Sequence, residues 1–150
     1  MSIKAGRVGG YILKTLLSSP LTITILSRPE SKSTFPENVK VIKKEHSDPT
    51  LHESFAGQDA IISTVGGAAI LDQIKIIDAA AKAGIRRFII SEWGSDTLNP
   101  VFQKGVFFYT QKKAVLDHLD IVVKENPGFS WTGICCGPFL DWFVFPKYIF

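Results

Sequence analysis

An α/β fold built on a doubly wound parallel sheet is what this sequence predicts, from three observations. Short runs rich in β-branched residues alternate with stretches of helical period, and the connections between them are short. Several of the runs, such as Phe88, Ile89 and Ile90, are apolar without alternation, which suits strands covered on both faces. Small and polar residues follow at once where those runs end, and in open α/β sheets ligands bind at the carboxyl ends of the strands.

Each element has its own signal. Residues 8–19, "VGGYILKTLLSS", place Tyr11, Leu13, Leu16 and Leu17 near helical spacing, with Pro20 after the stop. In 21–28, "LTITILSR", the apolar Ile23, Ile25 and Leu26 with interleaved threonines predict a strand. A second short strand, 38–44, sets Val39 and Val41 on one face. Residues 47–57 open as a helix at Asp48 and Pro49 and close on Gly57. Then 59–67, "DAIISTVGG", reads as a buried strand running into a diglycine. The clearest helix is 68–84, with Ile70, Ile74, Ile77 and Ala81 on one face and Gly84 as its stop. A central strand over 86–91, a loop, a helix over 108–126 closed by Pro127 and Gly128, and a strand within 129–137 complete the series. This is a Rossmann-like layout with helices on both faces of the sheet and the first strand largely missing, since only "MSIKAGRVGG" precedes the first helix.

Composition sets the class. The 150 residues, 45% hydrophobic and 21% charged, are enough for one globular domain spanning 1–150. A formal net charge of +3, from 17 basic and 14 acidic residues, is small and scattered, and the densest basic run, 40–44, reads as a solvated strand end, so no nucleic-acid partner is expected. No apolar run approaches the roughly 20 residues of a membrane span, and the N-terminus has no apolar signal core. A cytoplasmic location without membrane attachment is the expectation. Cys135 and Cys136 sit in an apolar stretch and read as reduced core residues. His46 and His52 are not grouped with cysteines or carboxylates at metal spacing, so no metal site is expected. The final "PFLDWFVFPKYIF" ends in large aromatics, which implies cover from another surface, such as a second copy of the chain in a homo-oligomer.

Three clusters read as a cofactor site. Gly6, Gly9 and Gly10 can form the end of a glycine-rich turn that delivers a pyrophosphate to a helix N-terminus, where backbone N–H groups and the helix dipole favour an anion. Helix-packing glycines would look the same. Arg28, with Lys32 beside it, holds the strand-end position where an acidic residue would select NAD and a basic one accommodates the 2′-phosphate of NADP. A solvated loop arginine is the alternative. Ser63, Thr64, Val65 and Gly66 follow a buried strand with small side chains that let a cofactor approach the backbone, and a tight turn would use them equally well.

Together "GGYILKTLL", "LSRPESK", "SFAGQDAIIS", "IIDAAAKAGIRRFIISEWGSD", "QKKAVLDHL" and "GPFLDW", in this order, resemble the NmrA-like, isoflavone-reductase-like branch of the atypical short-chain dehydrogenase/reductases, fungal members above all. The resemblance implies an NADP(H)-binding domain of an oxidoreductase that reduces small aromatic, phenylpropanoid-type or related secondary metabolites. The family also includes dinucleotide-binding transcriptional co-regulators that do not turn the cofactor over. By the same resemblance Arg28 matches the 2′-phosphate arginine, Ser91 and Glu92 match a "PSEFG" loop that here carries Ile90 and Trp93 in place of proline and phenylalanine, and the reductase lysine falls at Lys112. A Y-x-x-x-K reading pairs Tyr109 with Lys113 instead. Members are about twice this length, so the chain resembles a form truncated at both ends, and an inactive fragment is the third reading.

Overall fold

The computed structural model describes residues 6–140. The first helix, α1 (Arg7–Leu16), leads to β1 (Thr24–Ser27) and β2 (Lys40–Lys43), which pair in parallel with Leu26 opposite Ile42. Next come β3 (Ala60–Ile62), α2 (Asp72–Lys82), β4 (Arg87–Ile90), α3 (Pro100–Gly105), α4 (Phe107–Glu125) and β5 (Ser130–Gly133). Strands β3, β4 and β5 form a second parallel sheet in that order, with Phe88 between Ile61 and Trp131. Every described pairing is parallel, as the strand–helix alternation predicts.

The core lies between α2, α4 and the three-stranded sheet. Ile77, Ala80, Phe88 and Leu119 are fully buried there, together with Ile76, Ile90, Val115, Val122 and Phe129. Burying each of the larger side chains contributes about 1.5–3 kcal/mol, which is why a chain of short strands holds together at all. Gly84 stops α2 as expected, with φ +76°, while the Ile85 N–H reaches back to the Ala80 carbonyl.

Between the two sheets the ladder is open. The Ser27 carbonyl accepts from Lys44, so the alternate backbone groups of Thr24 and Leu26 face away from β2. On the other side the Ser63 N–H donates to the Ile89 carbonyl, which leaves the groups of Ala60 and Ile62 facing away from β4. These two edges, with Ile12 and Leu13 of α1, Phe55 and Ile76, line a cleft of about 660 Å³. A doubly wound sheet carries its first strand at this point, ahead of the first helix. Among the described residues that strand is missing, as the sequence implies.

Several local expectations give way to tertiary context. Tyr11 is exposed, and only Leu13 of α1 is buried, because the helix covers one wall of the cleft rather than a continuous sheet. Val39 and Val41 do not share a face: Val39 is tucked into the turn closed by its N–H to the Pro36 carbonyl, ahead of β2, and Val41 is exposed. The segment after Pro49 is a single 3-10 turn, Leu51–Phe55. The strand β3 is half-open rather than buried, since its outer edge meets the cleft. Residues 67–82 divide into a 3-10 turn, Gly67–Ala69, and α2; of the expected face Ile70 and Ile77 are buried and Ile74 and Ala81 pack partly on the core, while the fully buried row of α2 is Gln73, Ile76, Ile77 and Ala80. The expected loop before α4 contains α3, capped by the Asn99 side chain, which accepts from the Val101 N–H with Pro100 in the first turn. Cys135 and Cys136 are exposed, beyond the end of β5, and therefore not core residues. The aromatic C-terminal stretch expected to meet another surface lies, from residue 141, outside the described residues.

Candidate cofactor and active site

The sequence-predicted residues lie at the tips of β1, β3 and β4, at the start of α1 and on α4. Gly6 precedes α1 as its cap, and the first turn is closed by the Gly10 N–H on the Gly6 carbonyl at 2.8 Å. Gly9 and Gly10 thus lie inside the helix, not in a turn before it. The N–H groups of Val8 and Gly9 precede the first intrahelical bond, and Gly9 lines the cleft. Arg28 follows β1 directly; its guanidinium pairs with Glu30 at 3.1 Å and remains half exposed. Lys32 is exposed, one residue beyond Ser31, whose carbonyl accepts from Lys43.

Ser63 follows β3. It is 4% exposed, and its hydroxyl has no hydrogen-bond partner among the described residues. A buried hydroxyl without a partner costs about 1–3 kcal/mol, so this atom suits a site completed by a ligand group or by further backbone. Thr64 is exposed, Val65 packs on the core, and Gly66 is exposed in extended conformation. The glycine with positive φ there is Gly67, at +60°. The Ser63 hydroxyl at the tip of β3, the leading N–H groups of α1 and the arginine at the tip of β1 are each of a type that suits a phosphate-bearing dinucleotide.

The second half of the site is the loop after β4. The Ser91 N–H donates to the buried Gln73 Oε1 at 2.9 Å, which ties the strand tip to α2. Glu92 is 5% exposed and accepts the Thr97 hydroxyl on Oε2 at 2.6 Å. Trp93 adopts φ +31°, a costly conformation for a bulky residue, and its indole N–H donates to the Ser63 carbonyl at 2.8 Å, joining the tips of β3 and β4. Gly94 accepts from the Gly137 N–H through its carbonyl, which brings in the segment after β5.

Lys112 projects from α4 onto this loop. Its ammonium donates to the Glu92 carbonyl and lies 3.8 Å from Glu92 Oε1 and 5.8 Å from the centre of the Tyr109 ring. Burial pushes the amine below the usual lysine range, opposed by the negative charges of Glu92, Cys135 and Cys136 and by the hydrogen bond to Glu92. The thiol of Cys135, though the residue is exposed, is pushed up by partial desolvation and by Glu92 and Asp96, against the pull of Lys112. Tyr109 is buried and packs its ring on Phe102 and Phe108. Lys113 points elsewhere, paired with Asp117 one turn along the exposed face of α4. Thus Tyr109 and Lys112 share the loop with Ser91 and Glu92, whereas Arg28 and Lys32 stand at the tip of the other sheet.

Sequence reasoning did not single out Gln73, Thr97 or Gly133. Gln73 had a visible signal, as the one polar residue in the apolar row of α2. Thr97 had none, because a threonine in "SDTLNP" reads as turn chemistry.

Comparison with known proteins agrees with this architecture. A family model described as NAD(P)H-binding matches residues 5–143. Oxidoreductase aprR of Aspergillus flavus is 43% identical over 140 residues, covering 91% of this chain and 46% of that protein. Isoflavone reductase of Cicer arietinum is 32% identical over 159 residues, covering 95% and 46%. Among solved structures, that of pinoresinol-lariciresinol and phenylcoumaran benzylic ether reductases superposes with a TM-score of 0.79 at 24% identity, covering 93% of this chain and 49% of that one. The leucoanthocyanidin reductase–NADPH binary complex from Vitis vinifera gives 0.68 at 24%, covering 88% and 47%. At that identity the structures speak for the fold alone. The chain spans about half the length of these curated relatives, 46% of each. Parallel strands alternating with helices, and a family match over nearly the whole sequence, lead to one assignment: the chain belongs to the NAD(P)H-binding family, as an NmrA-like, isoflavone-reductase-like NAD(P)-binding domain.

Proposed function

We propose that this chain is the cofactor half of an NADPH-dependent reductase of small aromatic or related secondary metabolites, with Lys112 as the group that meets the reacting substrate. The observation that carries this reading is the placement of Lys112: 9% exposed, held by the loop after β4, at the strand-tip edge where such sheets bind ligands. The relatives include reductases of isoflavone and leucoanthocyanidin type, 32% and 31% identical to this chain, which supports the substrate class.

When bound, NADPH supplies a hydride. The rest falls to the chain. Arg28 would take the 2′-phosphate in a bidentate fork, exchanging its Glu30 partner for a more highly charged one. The leading N–H groups of α1 would face the pyrophosphate. Ser63 would give its hydroxyl, partnerless among the described residues, to the cofactor or to backbone beside it. Negative charge that develops on a substrate oxygen meets the Lys112 ammonium, which can stabilise it and pass it a proton from Nζ. Glu92 and Tyr109, both buried, lie beside the amine and would limit the water that reaches it.

The test follows NADPH oxidation with an aromatic enone in the wild type and in Lys112→Ala and Lys113→Ala. Loss of a positioned acid costs about 10²–10⁴-fold in rate, so Lys112→Ala should lose most turnover and Lys113→Ala little. Equal rates in wild type and Lys112→Ala would overturn the assignment. A saturable change in Trp93 and NADPH fluorescence on titration reports cofactor binding separately, and its absence would favour an incomplete site.

A further inference from the structure

Four elements converge on one buried carboxylate. Glu92 leaves the tip of β4, Thr97 comes from the loop ahead of α3, Lys112 from α4, and Gly133 closes β5. The carboxylate divides its two oxygens: Oε2 accepts the Thr97 hydroxyl at 2.6 Å, and Oε1 lies 3.8 Å from Lys112 Nζ, which also donates to the Glu92 carbonyl. Thr97 is 1% exposed and is itself fixed, its carbonyl accepting from the Gln103 amide at 2.8 Å. Gly133 provides the room: a Cβ there would lie 3.0 Å from Glu92 Cγ and 3.4 Å from Ile90 Cδ1.

A buried carboxylate with one oxygen occupied by a neutral hydroxyl cannot rotate freely toward the ammonium. We infer that Thr97 and Glu92 are positioning residues, which hold the Lys112 ammonium at a fixed point of the loop, and that Gly133 is small because a side chain would dislodge the Glu92 arm. This rests on the reading of Lys112 as the reacting group, and it adds the two residues that aim it. Without them a lysine, with four rotatable bonds and a single charge, has no fixed direction. The groups that face the amine are Glu92, Tyr109, Cys135 and Cys136, with Asp96 acting on Cys135. Of these, Glu92 alone gives it both a carbonyl and a carboxylate.

The experiment is NMR of the full chain with 13C,15N-lysine, the Lys112 ammonium signal being identified by its loss in Lys112→Arg. An ammonium held by fixed acceptors exchanges its protons slowly. Thr97→Val, which keeps the shape and removes the donor, should speed that exchange at least tenfold, and Thr97→Ser should restore it. Gly133→Ala should speed it from the opposite side of the carboxylate. Glu92→Gln should lower the pKa of Lys112, because it removes the charge that opposes the effect of burial. Thermal unfolding of each variant shows whether the fold persists, and if Thr97→Val does not fold, Thr97→Ser and Gly133→Ala carry the comparison. Unchanged exchange in folded Thr97→Val, or in folded Gly133→Ala, overturns the positioning role. Faster Lys112 exchange in Thr97→Val and Gly133→Ala combined with normal turnover in Lys112→Ala would instead leave the positioning intact and remove the catalytic reading, so the two failures are distinct.

Discussion

Replacing Gln73 with leucine should cost stability even though leucine is the more apolar residue. Gln73 is 1% exposed, in the seam where α2 meets β4, and its Oε1 accepts the Ser91 N–H at 2.9 Å. Leucine has a similar size, so little volume is lost, but the Ser91 N–H is left buried without an acceptor. That penalty is about 1–3 kcal/mol, partly offset by the gain from a more apolar side chain. Glutamate at the same position keeps an acceptor oxygen and introduces a charge into a dry seam. Desolvation would raise its pKa in the folded state, so the native chain would bind more protons than the unfolded one above about pH 4.3. Stability of Gln73→Glu should therefore be fullest below that pH and fall as pH rises through the folded-state value. Urea titration, with an unchanged slope and a lowered midpoint, measures both effects. A Gln73→Leu variant within about 0.5 kcal/mol of wild type, the range of a bland surface change, would refute the idea that this amide secures the strand tip.

Other outcomes follow from the same geometry. Arg28→Ala should weaken NADPH much more than NADH, measured by cofactor fluorescence titration; equal losses would mean that the guanidinium does not meet the 2′-phosphate. Ser63→Ala should leave stability unchanged or raise it, because it removes a buried hydroxyl that has no partner among the described residues, while weakening cofactor binding several-fold through one lost hydrogen bond. Gly84→Ala forces a Cβ into a φ of +76° and should cost about 1–2 kcal/mol in urea unfolding. Because burial holds Lys112 below its ordinary value, the unfolded chain binds the extra proton between the folded and unfolded pKa, so this group's contribution should make the fold more stable as pH rises through that window towards 10.5.

The pattern of strands and helices, the parallel sheet and the segments at the strand tips could be read directly from the amino acids. Continuous apolar runs and helical periods are local properties, and the residues after Ile90 or Leu26 must lie at strand tips once those runs are strands. The family resemblance narrowed the candidate lysine to Lys112 or Lys113, adjacent on one helix. What decided between them was the rotation of α4 about its axis, which packing of Val115, Leu119 and Val122 against the core fixes and which turns Lys112 inward and Lys113 to solvent. Only the tertiary structure could bring Thr97 and Gly133 to Glu92, or set Gln73 beneath Ser91. Those contacts join segments 5, 41 and 18 residues apart, and they depend on how strands and helices stack in space, a relation that neighbouring residues do not encode.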